Sequence, residues 1–175
     1  MRGYLSLEPN PETRRALATI QNRLHDALAR QGVHFTDRFG ATLLTWPFGT
    51  FEELDEAFEK LRGRPIPSLT ISPLQGRPNT DRPAEAGFLI EGLEPLQEAL
   101  FQDLKAALDP DPPKPPFIRL ARISPASRKV GVALHGSNLL GVSAPPFVAE
   151  SLTLWHQSPQ GYEAYRTMAL SDGGS

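Results

Sequence analysis

The four histidines are the first residues to test for chemistry, because an imidazole can move a proton near neutral pH or ligate a metal. His25, His34, His135 and His156 are too far apart to form a local metal pair, so any metal site would need assembly across the fold; no metal is expected. His25 stands one position beyond an apolar helical stripe and reads as a solvated or half-buried helix residue. His135 and His156 read as structural or exposed. His34 heads the triplet His34-Phe35-Thr36 on an expected strand, where alternation puts His34 and Thr36 on one face. A functional role for this imidazole and hydroxyl is one reading, although such a triplet also arises by chance. The second feature is a basic stretch with no acid in it: Lys114, Arg119, Arg122, Arg128 and Lys129. It reads either as a surface paired with acidic helix faces or as an anion site for phosphate. Arg119 lies between Ile118 and Leu120 on an expected strand. Its guanidinium cannot shed its charge, and desolvating it unpaired would cost several kcal/mol. It needs an anion, either a carboxylate of this chain or a ligand phosphate.

Other signatures are missing. The chain has no Walker loop, no G-x-G-x-x-G and no G-x-S-x-G. It has no cysteine, which excludes disulfides, zinc–thiolate sites, iron–sulfur clusters and thiol nucleophiles. The acidic run from Glu52 to Glu59 reads as a solvated helix face.

The elements that must position these residues follow from periodicity and breakers. Tyr4–Leu7 reads as a strand. Asn10-Pro11-Glu12 supplies a cap, a proline at the first helical position and an acid in the first turn. Leu17, Ile20, Leu24 and Leu28 then make one apolar stripe on a helix ending near Gly32. Val33–Phe35 and Ala41–Trp46 read as strands. Thr50 to Glu53 has the capping-box pattern, with Phe51, Leu54, Phe58 and Leu61 as the next stripe. Leu69–Ile71 and Phe88–Ile90 are strand candidates. Leu93, Leu96, Leu100, Leu104 and Leu108 predict a third helix, and Phe117–Ile123 a strand. Ser127–Leu139 is ambiguous between a short helix and a loop. Ser151–Trp155 and Tyr162–Leu170 read as a closing antiparallel pair. Adjacent strand pairs with helices between them predict an α+β protein with antiparallel sheets and outer helices.

Composition bounds the rest. The 175 residues are 39% hydrophobic and 22% charged, enough for one packed domain or two small lobes sharing a core. A single domain over 1–170 with a frayed tail at 171–175 is expected. The net charge of −2 gives no global field for nucleic acid, so such contact needs a local patch. No apolar run reaches membrane-spanning length, and the N-terminal residues lack the apolar stretch of a leader, so a cytoplasmic location is the expectation. The 18 prolines are about twice the usual share of roughly 5%; their clusters read as connections.

Several blocks carry a family resemblance. Arg2-Gly3-Tyr4-Leu5-Ser6-Leu7 followed by Pro11-Glu12-Thr13-Arg14-Arg15-Ala16-Leu17 resembles the start of the two-histidine phosphoesterases, within them the 2′-5′ RNA ligase and RNA 2′,3′-cyclic phosphodiesterase branch. Ala41 to Gly49 resembles its first motif strand, H-x-T-L-x-F-L-G. Pro116-Phe117-Ile118-Arg119-Leu120-Ala121-Arg122 resembles the second, P-H-x-T-L-A-R. Ser151 to Ser158 and Gly161 to Leu170 resemble its last two strands. The resemblance covers the chain in element order. It implies two pseudo-symmetric lobes of antiparallel sheet with outer helices around a central cleft, each lobe supplying one H-x-T, and no cofactor.

The chain departs from the family at the motifs themselves. The first histidine and threonine positions fall on Thr42 and Leu44, or one residue later on Leu43 and Thr45; the second pair falls on Phe117 and Arg119, while Arg122 matches the family arginine. Both imidazoles are therefore missing, and each acid or base typically contributes about 10²–10⁴ in rate. Three functions follow as expectations. The first is a catalytically silent relative that holds a phosphorylated nucleotide or RNA end through Arg119, Arg122 and Thr42. The second is an active phosphodiesterase or ligase with relocated groups, His34 and Thr36. The third is an interaction protein whose cleft is filled by Leu44 and Phe117.

Overall fold

The computed structural model describes residues 1–28, 32–125, 127 and 129–170. The tail expected to fray, 171–175, and Arg128 of the basic stretch lie outside the described residues.

The chain runs β1 (Gly3–Pro9), α1 (Pro11–Leu28), β2 (Val33–Phe35), β3 (Ala41–Trp46), α2 (Phe51–Lys60), β4 (Thr70–Ile71), β5 (Gln75–Arg77), β6 (Glu85–Glu91), α3 (Glu94–Leu108), β7 (Phe117–Ile123), α4 (Val130–Gly136), β8 (Ala149–Ser158) and β9 (Gly161–Ala169). The strands form two antiparallel sheets. One has the order β3-β1-β8-β9; the other has β2-β7-β6-β4, with β5 also on β6. The expected α+β class and paired lobes are what the chain adopts. Each lobe is built on the same sequence of events: a central strand, a helix, a motif strand antiparallel to the first, and a shorter helix. In the first lobe these are β1, α1, β3 and α2; in the second, β6, α3, β7 and α4.

The local reasons are those read from the sequence. Thr13's backbone N–H donates to the Asn10 side chain, which caps α1. Thr50 and Glu53 make a reciprocal capping box at the start of α2. The stripes Leu17, Leu24, Leu28 and Leu96, Leu100, Leu104, Leu108 are buried in one cluster with Leu5, Leu7, Trp46, Phe88 and Ile118, so the two lobes share a core. Each such leucine contributes about 1.5–3 kcal/mol by leaving water. The ambiguous stretch 127–139 resolves into the short α4. The proline-rich segment holds one element the sequence did not announce: β5, where Gln75–Arg77 pairs with Glu85–Gly87.

Both motif strands carry a bulge. Leu5 and Ser6 of β1 face Leu44 and Thr42, so Leu43 is the extra residue in β3. Gly87 and Ala86 of β6 face Arg119 and Ala121, so Leu120 is the extra residue in β7. The carbonyl of each bulge is met by a glutamine amide, and that of Leu120 also accepts the Thr36 backbone N–H at 3.2 Å. Gln97 of α3 is 3% exposed and donates to the Leu43 carbonyl at 2.9 Å and to that of Lys114 at 2.8 Å. Gln21 of α1 donates to the Leu120 carbonyl at 2.9 Å and to that of Thr36. Thus the helix of each lobe secures the bulge of the other.

Candidate functional site

The bulges decide which side chains reach the space between the lobes. In β7 the extra residue keeps Phe117, Arg119 and Arg122 on the cleft side. In β3 the same construction puts Gly40 and Thr42 there. Counted from the two bulges, Thr42 corresponds to Arg119 and Gly40 to Phe117. The sequence offered two registers, Thr42 with Leu44 or Leu43 with Thr45, and each includes a leucine that is buried in the core. Leu44 faces Leu5 and is 2% exposed in the core. A bulge adds one residue to the strand without altering the composition around it, so the slip is invisible in the sequence. Counted this way, Thr42 and Gly40 hold the cleft-side places that Arg119 and Phe117 hold in the other lobe.

The cleft has a volume of about 420 Å³. It is open, so Leu44 and Phe117 do not fill it. One is core, and the other is a wall residue whose ring lies under the Arg77 guanidinium at 4.3 Å.

Arg119 has the anion that its charge demanded, and the anion is internal. Its Nε donates to Glu85 Oε2 at 2.6 Å, while Arg77 donates to the other oxygen of the same carboxylate at 2.5 Å. Glu85 is thus held between two arginines on β5 and β7. Of the two anions that the sequence left open for Arg119, a ligand phosphate or a carboxylate of this chain, the structure supplies the carboxylate. Nothing near 119 in sequence announces Glu85; β6 brings it in from 34 residues away. Arg122 differs. It lies across from His34 on β2 and from Glu85 on β6, is exposed at the cleft, and has no ion-pair or hydrogen-bond partner among the described residues.

His34 and Thr36 both line the cleft, as alternation required. The Thr36 hydroxyl is used locally: it accepts from the Arg38 backbone N–H at 3.1 Å. The other histidines are elsewhere. His25 packs on Phe35, His135 meets Asp81 at 3.1 Å, and His156 stands edge-on to Phe51. Among the described residues no cluster of histidine and acidic side chains is suited to a metal ion.

The first-lobe wall contains residues that sequence reasoning passed over. Trp155 Nε1 donates to Ser6 Oγ at 2.8 Å, and Ser6 Oγ donates to Glu8 Oε1 at 2.5 Å. Glu8 lines the cleft beside Gly40, with Arg14 Nη2 at 3.5 Å from its second oxygen. Tyr4 stacks on Trp155 at 5.7 Å and meets Tyr162 edge-on at 5.1 Å. Burial pushes the Tyr4 phenol above the usual tyrosine range; the Arg38 guanidinium at its oxygen opposes that shift only in part. The available signal was period two: Tyr4, Ser6 and Glu8 alternate with the core residues Leu5 and Leu7.

Comparison with known proteins follows the same outline. No protein-family model matches the chain, and no curated sequence does. Solved structures do match over nearly the whole length. TT0787 of Thermus thermophilus is 22% identical with a TM-score of 0.61, covering 97% of this chain and 98% of its own. E. coli LigT complexed with phosphate is 18% identical with a TM-score of 0.51, and LigT complexed with 3′-AMP is 18% identical with a TM-score of 0.52, each covering 98% of both chains. Two bulged strands facing one cleft, with this full-length likeness, give the chain the fold of E. coli LigT.

Proposed function

We propose that the chain binds a phosphorylated nucleotide or RNA end in its cleft and does not turn it over. The observation that carries this reading is a cleft with phosphate-binding groups on both bulged strands and no imidazole at either equivalent position, Gly40 and Phe117. Arg122 and Arg38 are the cleft arginines without an ion-pair partner among the described residues; Arg38 already donates to the Tyr162 carbonyl, which leaves Arg122 the freer cation for an incoming phosphate, while Thr42 lines the same cleft from the other lobe and Arg119 is fixed by Glu85. An arginine offers two parallel N–H donors to a phosphate. Binding without a proton donor or acceptor at the reacting oxygens gives a held ground state and no rate. The fold-sharing LigT structures complexed with phosphate, 3′-AMP and ATP support the ligand class. The test is a calorimetric titration with uridine nucleotides. Binding at least about tenfold weaker in Arg122→Ala supports the reading, since a charge-assisted hydrogen bond is worth about 1.5–3 kcal/mol. Equal affinity for both proteins overturns it.

The alternative, relocated catalysis, is favoured by one observation: the His34 ring lies at the cleft without a partner among the described residues. Hydrolysis of a 2′,3′-cyclic nucleotide or 2′-5′ ligation that disappears in His34→Ala would establish it.

A further inference from the structure

Beside Arg38, which is committed to Tyr4, Tyr162 and Trp155, the two walls of the cleft end in unlike hydrogen-bonding groups. On the second lobe, Arg122 can only donate. On the first, the chain Trp155–Ser6–Glu8 ends in an acceptor. The indole N–H can only donate, so Ser6 must accept it, and the Ser6 proton is thereby directed to Glu8. Glu8 is 10% exposed, accepts from Ser6 on one oxygen and has Arg14 Nη2 at 3.5 Å from the other, with acceptor lone pairs remaining on both. Gly40 makes room for it: a Cβ there would run into that carboxylate. The place where a motif side chain would project is thus occupied by a fixed anion.

A phosphate set directly on Glu8 would meet a like charge in a partly desolvated site, with Arg14 behind the carboxylate as its counter-charge. What a fixed carboxylate takes from a nucleotide is a pair of hydroxyl donors, and the vicinal 2′,3′-diol of ribose is that pair. The same preference governs ribose recognition in dinucleotide sites, where an acidic side chain binds the 2′-hydroxyl.

Resting on the nucleotide-binding reading above, we infer that the cleft accepts a ribonucleotide with its free 2′,3′-diol on Glu8 and its 5′-phosphate on Arg122. Such a group is either a nucleoside 5′-monophosphate or the last nucleotide of an RNA with a 3′-hydroxyl end. Termini bearing a 3′-phosphate or a 2′,3′-cyclic phosphate put charge on the wrong wall.

The test is calorimetry on the wild-type chain with five uridine probes: 5′-UMP, 2′-deoxy-5′-UMP, 3′-UMP, 2′,3′-cyclic UMP and the dinucleotide UpU with a free 3′-hydroxyl. Uracil has no exocyclic amine, and its single donor, the ring N3–H, cannot supply the paired donors of the diol. The expected result is 5′-UMP or UpU binding at least roughly tenfold tighter than 3′-UMP, 2′,3′-cyclic UMP and the deoxy compound, the size of one lost charge-assisted hydrogen bond. UpU above 5′-UMP identifies an RNA end as the source, and the reverse a free nucleotide. Glu8→Gln should narrow the gap between 5′-UMP and 3′-UMP. If 3′-UMP or cyclic UMP binds as tightly as 5′-UMP, and Arg122→Ala weakens both, the diol assignment is wrong while the cleft remains a nucleotide site. If no probe binds, both readings fall.

Discussion

At the scale of single residues, the cleft separates two roles that arginine can play. Arg119 is structural in its first commitment, since Glu85 takes its Nε and ties it to Arg77. Arg122 is free to receive a ligand. The account predicts a large loss of phosphate affinity for Arg122→Ala, and for Glu85→Ala a loss of thermal stability. Removing Glu85 leaves two partly exposed guanidinium groups without their shared anion, and a melting curve should show a loss of about 1–3 kcal/mol. Because both arginines are more than a third exposed, solvent screening puts this at the lower end. Tyr4 supplies a pH signature. Its pKa is raised in the fold by burial, so its contribution to stability is fully present below the ordinary tyrosine value near 10. That contribution is lost as the pH rises from about 10 through the higher folded value, because the unfolded chain then releases its proton first. Alkaline melts of the wild type and Tyr4→Phe should diverge only above about pH 10; divergence beginning near neutrality would refute this assignment.

At the scale of elements, the two bulges are what turn a strand into a site wall, and they depend on partners from the opposite lobe. Replacing Gln97 by leucine leaves the Leu43 and Lys114 carbonyls without their side-chain donor. The expected cost is about 1–3 kcal/mol for each carbonyl that stays buried and unpaired, read as a shift in a urea melt; an unchanged midpoint would show that the bulge holds itself. Gly87 faces Arg119 beside the other bulge, where a Cβ would strike the Ile118 carbonyl. Gly87→Ala should therefore destabilise the second lobe by more than the roughly 1 kcal/mol typical of a point substitution. These elements also show where the sequence could be read. The helices were legible because their leucines recur at three and four and their starts carry caps, as at Asn10 and Thr50. The motif strands were legible as strands but not in register. Period-two reading assumes an unbroken pleat, and the extra residues Leu43 and Leu120 break it. β5 was hidden because its three residues, Gln75–Arg77, sit among prolines that argue for loop.

At the scale of the whole molecule, the lobes repeat one construction and share one core, yet the walls they present are chemically unlike. One ends in a carboxylate held by Ser6 and Trp155, the other in a free guanidinium. The family resemblance made the cleft foreseeable from residues spread over the whole chain. What filled the two motif positions was only half foreseeable. Phe117 could be read directly, whereas Gly40 and Glu8 emerge only when β1, β3 and β8 are side by side. Among the described residues no helix is long and apolar enough to cross a membrane. The net charge of −2 leaves the cleft's own charges, rather than the whole field, to attract a phosphate.

The central claim, a nucleotide cleft that binds without turnover, is tested most directly by phosphorus NMR on one sample containing the protein, 5′-UMP and 2′,3′-cyclic UMP. The account predicts that the 5′-UMP resonance shifts and broadens while the cyclic diester signal persists through a long incubation, with no monoester growing in beyond a buffer control. A monoester resonance that grows at the expense of the cyclic diester, and that His34→Ala abolishes, would contradict it.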